Sequence, residues 1–200
     1  MKLSDLADIR SGLILSRKMA HEKTAYTYPL LNLKSINSDA TINKQTLDVF
    51  NASEQLNQEY LTQSSDIVVR MSTPYTAILI NKDTKGMVVS SNFVIIRCKT
   101  EEILPDYLFW YLNTEDIKKD ILKNSARNML AAIRPQYFSG LELQLPSLKQ
   151  QRLIADINLT AREEIKLLKK LQNQKIKYYQ KCLDNTYQLL INKRRISDDH

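Results

Sequence analysis

Pro146-Ser147-Leu148-Lys149-Gln150-Gln151-Arg152-Leu153-Ile154-Ala155-Asp156-Ile157 opens the segment that decides the architecture, because no Gly or Pro follows Pro146. Apolar residues then recur every eleven positions. Ile154, Ile165, Ile176 and Tyr187 form one series, and Ile157, Leu168, Tyr179 and Leu190 form a second. Ala161 and Leu183 share a third track, interrupted by Gln172. An eleven-residue repeat corresponds to about 3.67 residues per turn, close to the relaxed helix, so the stripe stays on one side of a straight rod. Roughly 44 residues could form a helix about 65 Å long at about 1.5 Å per residue. A globular core does not need a helix of that length. The spacing therefore predicts a spacer or dimerisation rod, and it divides the chain into a head (1–146), a long helix (147–192) and a basic-then-acidic tail (193–200).

Outward from the rod, the head reads as α+β. Leu141-Glu142-Leu143-Gln144-Leu145 alternates as a last strand before Pro146 breaks it. Asp66-Ile67-Val68-Val69-Arg70-Met71 and Ala77-Ile78-Leu79-Ile80 are strand-forming runs separated by the turn residues Ser72-Thr73-Pro74-Tyr75. Lys85-Gly86 turns the chain into Met87-Val88-Val89, and Asn92 to Cys98 is a further strand. Alternation from Leu31 to Lys34 marks an earlier one. No crossover helices separate these strands, so a mixed or antiparallel sheet is expected. Leu3 to Ile9 reads as a short helix or strand-entry turn, and residues 13–27 as a loop. From Pro105 to about Ser125, apolar residues at helical spacing predict one or two amphipathic helices, with Asp106 placed as the N-cap.

The chain can bury a real core, being 43% hydrophobic. No apolar run approaches the ~18 residues of a membrane span and no signal-peptide pattern opens the chain. Cys98 and Cys182 lack partner spacing, which suggests a reducing cytoplasm and no metal site. The net charge of +7 is unevenly spread. Residues 1–146 hold 17 Lys and Arg against 16 Asp and Glu, whereas residues 147–200 hold 12 against 6. A polyanion contact on the head would therefore be local rather than a broad basic face.

Catalytic chemistry is missing. With three glycines there is no phosphate-cradling loop, and with two histidines no nucleophile–His–acid constellation can be drawn. Ser72-Thr73-Pro74-Tyr75 resembles the substrate loop of amino-methyltransferases. Threonine stands at its second position and no glycine-rich cofactor strand accompanies it, so a connecting turn is the better reading.

The junction Gln144-Leu145-Pro146-Ser147-Leu148-Lys149-Gln150-Gln151-Arg152-Leu153-Ile154 resembles the pattern I/L-P-x-P-x-L-x-E-Q-x-x-I of type I restriction-modification specificity subunits. There it ends a target-recognition domain and leads into a long helix. Leu145, Pro146, Leu148, Gln151 and Ile154 match; Ser147 stands for a usual proline and Gln150 for a usual glutamate. Leu3 to Gly12 looks like the opening L-x-D-I-A-x-I-x-x-G, and Tyr28 to Asn37 like the family's early P-x-I-x-x-x-D-I strand. Asp66 to Arg70 resembles G-D-I-L-I, with Ser65 in place of the glycine. Asn92 through Arg97 is similar to the later strand, and Tyr107 to Leu112 to the Y-L-x-Y-x-L helix. The resemblance covers about residues 2–190.

The resemblance implies a non-catalytic, sequence-reading subunit in the cytoplasm, binding double-stranded DNA. It binds no cofactor itself, since partner methylation and restriction subunits supply chemistry with S-adenosylmethionine, ATP and Mg. A full member has two recognition domains and two antiparallel helices; this chain carries one of each. It reads as a half-subunit that pairs with a second copy as an antiparallel coiled coil through the stripe. The DNA-contact candidates lie in three irregular segments: Arg17, Lys18 and His21; Arg70, Ser72, Thr73 and Tyr75; Arg127, Asn128 and Arg134. The competing reading is an adapter in which head and rod bind only protein.

Overall fold

A computed structural model describes residues 1–20, 22, 25–126 and 132–197. The chain forms two units, Met1–Ala155 and Asp156–His200. The first begins with α1 (Leu3–Leu6) and β1 (Ala7–Ser11), then β2 (Thr27–Leu31) and β3 (Asp48–Asn51). β4 (Ile67–Arg70), β5 (Ala77–Leu79), β6 (Val88–Val89) and β7 (Phe93–Cys98) follow. Helices α2 (Pro105–Leu112), α3 (Glu115–Ala126) and α4 (Pro135–Ser139) precede α5 (Leu148–Ser197), whose first turns belong to this unit.

Two sheets result. One has the order β1-β7-β4-β5 and is antiparallel throughout; the other, β3-β2-β6, is mixed, with β2 parallel to β6. β4 and β7 are continuous β-branched runs because both of their faces are covered, and a strand buried on both sides has no polar face to alternate with. Ile67, Val69, Val94 and Ile96 point into the core made with α1 to α4. Val68, Phe93 and Ile95 point the other way, against Leu31 and Val89 from the second sheet and Met87 just before β6. Helices, four-stranded sheet and three-stranded sheet are thus three layers.

Three expectations change. Leu141 to Leu145 is not a strand: Glu142 makes only a single bridge to Lys2, framed by Leu143 N donating to Met1 O (2.8 Å) and Leu3 N to Leu141 O (2.8 Å). The alternation is real, with Leu143 buried and Glu142 and Gln144 exposed. Its partner runs out, because the chain turns into α1 at Leu3. Asp106 does not cap α2; Leu104 is the N-cap, Pro105 sits in the first turn, and Asp106 is left to interact with the helix's positive end. Finally, Leu31 to Lys34 is not a strand: β2 ends at Leu31, and Asn32, accepting from Ser35 N at 2.9 Å, caps a 3-10 turn over Leu33–Ser35. Among the described residues, no helix is long and apolar enough to cross a membrane.

Candidate nucleic-acid interface

The four-stranded sheet has two chemically different ends. At one, β1 and β4 finish, β7 begins and β5 starts, since Ser11 pairs with Val94, Arg70 with Phe93 and Val69 with Ala77. At the other, α5 begins. There the side chain of Gln151, 1% exposed, is fully used: its Oε1 accepts from Leu104 N (2.9 Å), and its Nε2 donates to Glu102 O (2.9 Å) and Pro146 O (3.0 Å). Ile154 packs against the core of the head one turn later.

A second lock sits at this same end. Asp66, fully buried, accepts from Arg97 Nε and Nη2, both at 2.7 Å, and from Gln63 N at 2.7 Å. Arg97 also donates to Leu61 O at 3.3 Å. The bidentate bond to Asp66 holds the guanidinium pKa above its usual value, against the opposing effect of burial. Neighbouring Cys98 is half-buried, and desolvation, with the nearby Asp66 charge, pushes its thiol up to about 11. These groups are structural: buried, bonded and far from reactive.

At the opposite end Thr76 and Ser90 are buried, the Ser90 hydroxyl without a hydrogen-bond partner, while the other polar side chains reach the surface. Arg70 Nε donates to Ser72 Oγ at 3.3 Å, and Thr73 is exposed. Exposed Arg134 comes beside them because Ile133 N donates to Met71 O at 2.9 Å. Among the described residues, neither Arg70 nor Arg134 is paired with a carboxylate. Residues 70–76, 90–92 and 132–134, which form this end, contain no Asp or Glu. Two unneutralised arginines on a head of nearly balanced charge give a small, local positive site.

Not every candidate joins it. Tyr75 is 3% exposed, with its hydroxyl 2.7 Å from that of Ser125, so its ring is core and holds the 72–76 turn from below. Lys18 is ion-paired with Glu54, and residues 18–20 run beside the end of β3. Exposed Arg17 ends a short 3-10 turn on that segment, and no bond ties it to the Arg70 turn. His21, Arg127 and Asn128 lie outside the described residues. Sequence reasoning missed the turn Ser90-Ser91-Asn92, a polar triplet between two apolar runs that enters the middle of this end.

Along α5, the stripe residues Ile157, Ala161, Ile165, Leu168, Ile176, Tyr179, Leu183, Tyr187 and Leu190 are all exposed. Ile154 is the exception, since the head's core takes it. Leu167, Tyr178 and Leu189 are also exposed and repeat at the same spacing. At about 100° per residue, Leu167 lies about 100° around the helix from Leu168, so this is a separate apolar track.

Residues 1–178 match the family model described as "Type I restriction modification DNA specificity domain". The chain belongs to this family. Comparison with curated proteins returned no match. Among solved structures, the chain is similar to the HsdS subunit from Thermoanaerobacter tengcongensis, at TM-score 0.60 and 16% identity, covering 87% of this chain and 44% of that one. A chain from a type I R-M system, solved for its complex assembly and conformational transition, matches at TM-score 0.59 and 16% identity with the same coverage. The fold is therefore shared, and this chain spans less than half the length of either relative.

Membership makes the motif positions physically intelligible. Ser65, standing for the family's glycine before Asp66, has φ 71°, the left-handed region a glycine occupies without strain. Ser147 and Gln150, the two departures at the junction, form a reciprocal cap. Ser147 N donates to Gln150 Oε1 at 3.0 Å and Gln150 N to Ser147 Oγ at 3.4 Å. The substitutions thus exchange one way of starting the helix for another. The family's Gln, here Gln151, joins that helix to the head.

Proposed function

We propose that this chain is the DNA sequence-specificity component of a type I restriction-modification complex, reading one half of a bipartite site with its head. The observation that carries the proposal is the positive, carboxylate-free end of the four-stranded sheet, in a chain of the specificity-domain family. Arg70 and Arg134 would fix register on phosphates, while Ser72 and Thr73 face the groove. Arg17, His21, Arg127 and Asn128 complete the candidate set. Tyr75 acts from beneath, by shaping the turn.

The exposed stripe on α5 pairs antiparallel with that of a second copy, so that two heads address a palindromic, interrupted site in the cytoplasm. The track of Leu167, Tyr178 and Leu189 is left for a helix of the methylation subunit. Methylation and restriction subunits carry S-adenosylmethionine, ATP and Mg; the residues described in this chain are given to binding and positioning.

Two experiments test the proposal. Methylome sequencing of cells that express the chain with its methylation subunit should reveal a modified interrupted palindrome, and the R70A/R134A variant should lose it. Unmodified DNA with an intact protein complex would favour the adapter reading instead. Light scattering of the full chain at micromolar concentration should give the mass of a dimer, and Leu168→Asp with Ile176→Asp should give a monomer. A wild-type monomer would refute pairing through the stripe.

A further inference from the structure

We propose that Asn92 is a specificity-determining residue, its side-chain amide reading an adenine edge in the major groove. The proposal rests on the reading of this chain as a DNA-specificity subunit. Asn92 ends the turn that joins β6 to β7, between the Arg70 turn on one side and Gly12-Leu13 on the other. Its backbone is held from both. Met71 N donates to Asn92 O at 3.0 Å, Ser91 N to Leu13 O at 2.8 Å, and Gly12 N to Phe93 O at 3.0 Å. A Cβ on Gly12 would stand 2.2 Å from Ser90 O, so that neighbour lies directly against the turn. The backbone of Asn92 is thus fixed before any ligand arrives, and its exposed side chain, bonded to nothing, is free to turn toward a base.

The second observation is how this protein uses asparagine. Asn32, Asn43, Asn57 and Asn81 each accept a backbone N–H at the start of a 3-10 turn. Asn37, Asn51, Asn113 and Asn124 bond elsewhere within the head. Among the described residues of Met1–Ala155, Asn92 is the asparagine whose amide bonds to nothing. Its turn closes without it, through Phe93 N donating to Ser90 O at 3.1 Å. An amide offers a donor and an acceptor side by side, the complement of adenine N7 and N6. With Arg70 on the adjacent strand end to hold a phosphate, Asn92 has the central position for a base.

The test uses the full chain co-purified with its methylation subunit and a pool of randomised duplexes, sequenced after enrichment. Wild type should define a motif. Asn92→Ala should make one A·T position of it degenerate and weaken binding to the wild-type site roughly ten- to hundredfold. Binding to unrelated duplex and the melting temperature should stay unchanged. An unaltered motif with affinity within about twofold would overturn the assignment, as would equal weakening on all duplexes, which marks a phosphate contact. If the wild-type complex enriches no motif, the DNA-reading function falls and this proposal with it.

Discussion

Replacing Gln151 with Ala removes one side chain from the first turn of α5 and, with it, three hydrogen bonds that bind that turn to the head. Each such bond contributes about 0.5–1.5 kcal/mol net, and a buried donor left unsatisfied costs about 1–3 kcal/mol. Leu104 N–H is that donor, and Leu104 is the N-cap of α2, so the loss extends to the start of a second helix. Glu102 and Pro146 lose only a donor to their carbonyls, which water can partly replace. The total is about 3 kcal/mol. At a urea slope of about 2 kcal/mol/M, the midpoint should fall by about 1.5 M. In a melt, the same loss corresponds to about 6–12 °C. Lys149→Ala, on an exposed neighbour in the same turn, should change stability by no more than about 0.5 kcal/mol in either measurement. Gln151→Glu sharpens the test. It keeps the acceptor for Leu104 N–H but sets a carboxylate against the Glu102 and Pro146 carbonyls, which raises its folded-state pKa above the unfolded value of about 4.3. A raised pKa stabilises below the unfolded value and is lost as pH rises, so this variant should weaken as pH rises above about 4.3 while Gln151→Ala does not. A urea midpoint for Gln151→Ala within about 0.25 M of wild type, about 0.5 kcal/mol at that slope, would refute the reasoning.

Arg97→Ala should destabilise by about 3–5 kcal/mol in urea unfolding, because it leaves the buried Asp66 carboxylate without its counter-charge. Gly12→Ala should cost at least about 2 kcal/mol by the same measurement, since its Cβ meets Ser90 O at 2.2 Å and Val89 O at 2.4 Å, both of them backbone. Ser65→Gly should instead raise the melting temperature, by up to about 1 kcal/mol of stability, by relieving a left-handed residue. The thiol of Cys98, pushed up to about 11, should resist a thiol-labelling reagent at pH 8 in the folded chain and react once it is denatured, as mass spectrometry of the labelled peptide would show.

Much of this protein is legible along the chain, and for one reason: periodicity is local. The run from Leu148 onward lacks Gly and Pro and repeats its apolar residues, which suffices for a helix whatever surrounds it, and α5 runs from Leu148 to Ser197. The unbroken apolar strands β4 and β7 likewise announce burial on both faces. The cap of α2 is Leu104 rather than Asp106 because a cap depends on where the helix starts, and the bond from Gln151, distant in sequence, helps to settle that start. Leu141 to Leu145 has a strand's alternation without a strand's partner.

The sequence alone determined the α+β head, the long helix and the stripe upon it, because each follows from residue spacing and from backbone preferences that act over one or two turns. Only the tertiary structure decided which polar residues share a site. Arg70 and Arg134 are neighbours because a hydrogen bond from Ile133 to Met71 joins segments far apart in the chain. Tyr75 leaves the surface for the core, Gln151 becomes the junction between head and helix, and Asn92 enters the middle of the sheet end. Each outcome depends on which strand ends meet, and pairing across distant segments leaves no periodic trace in the residues that make it.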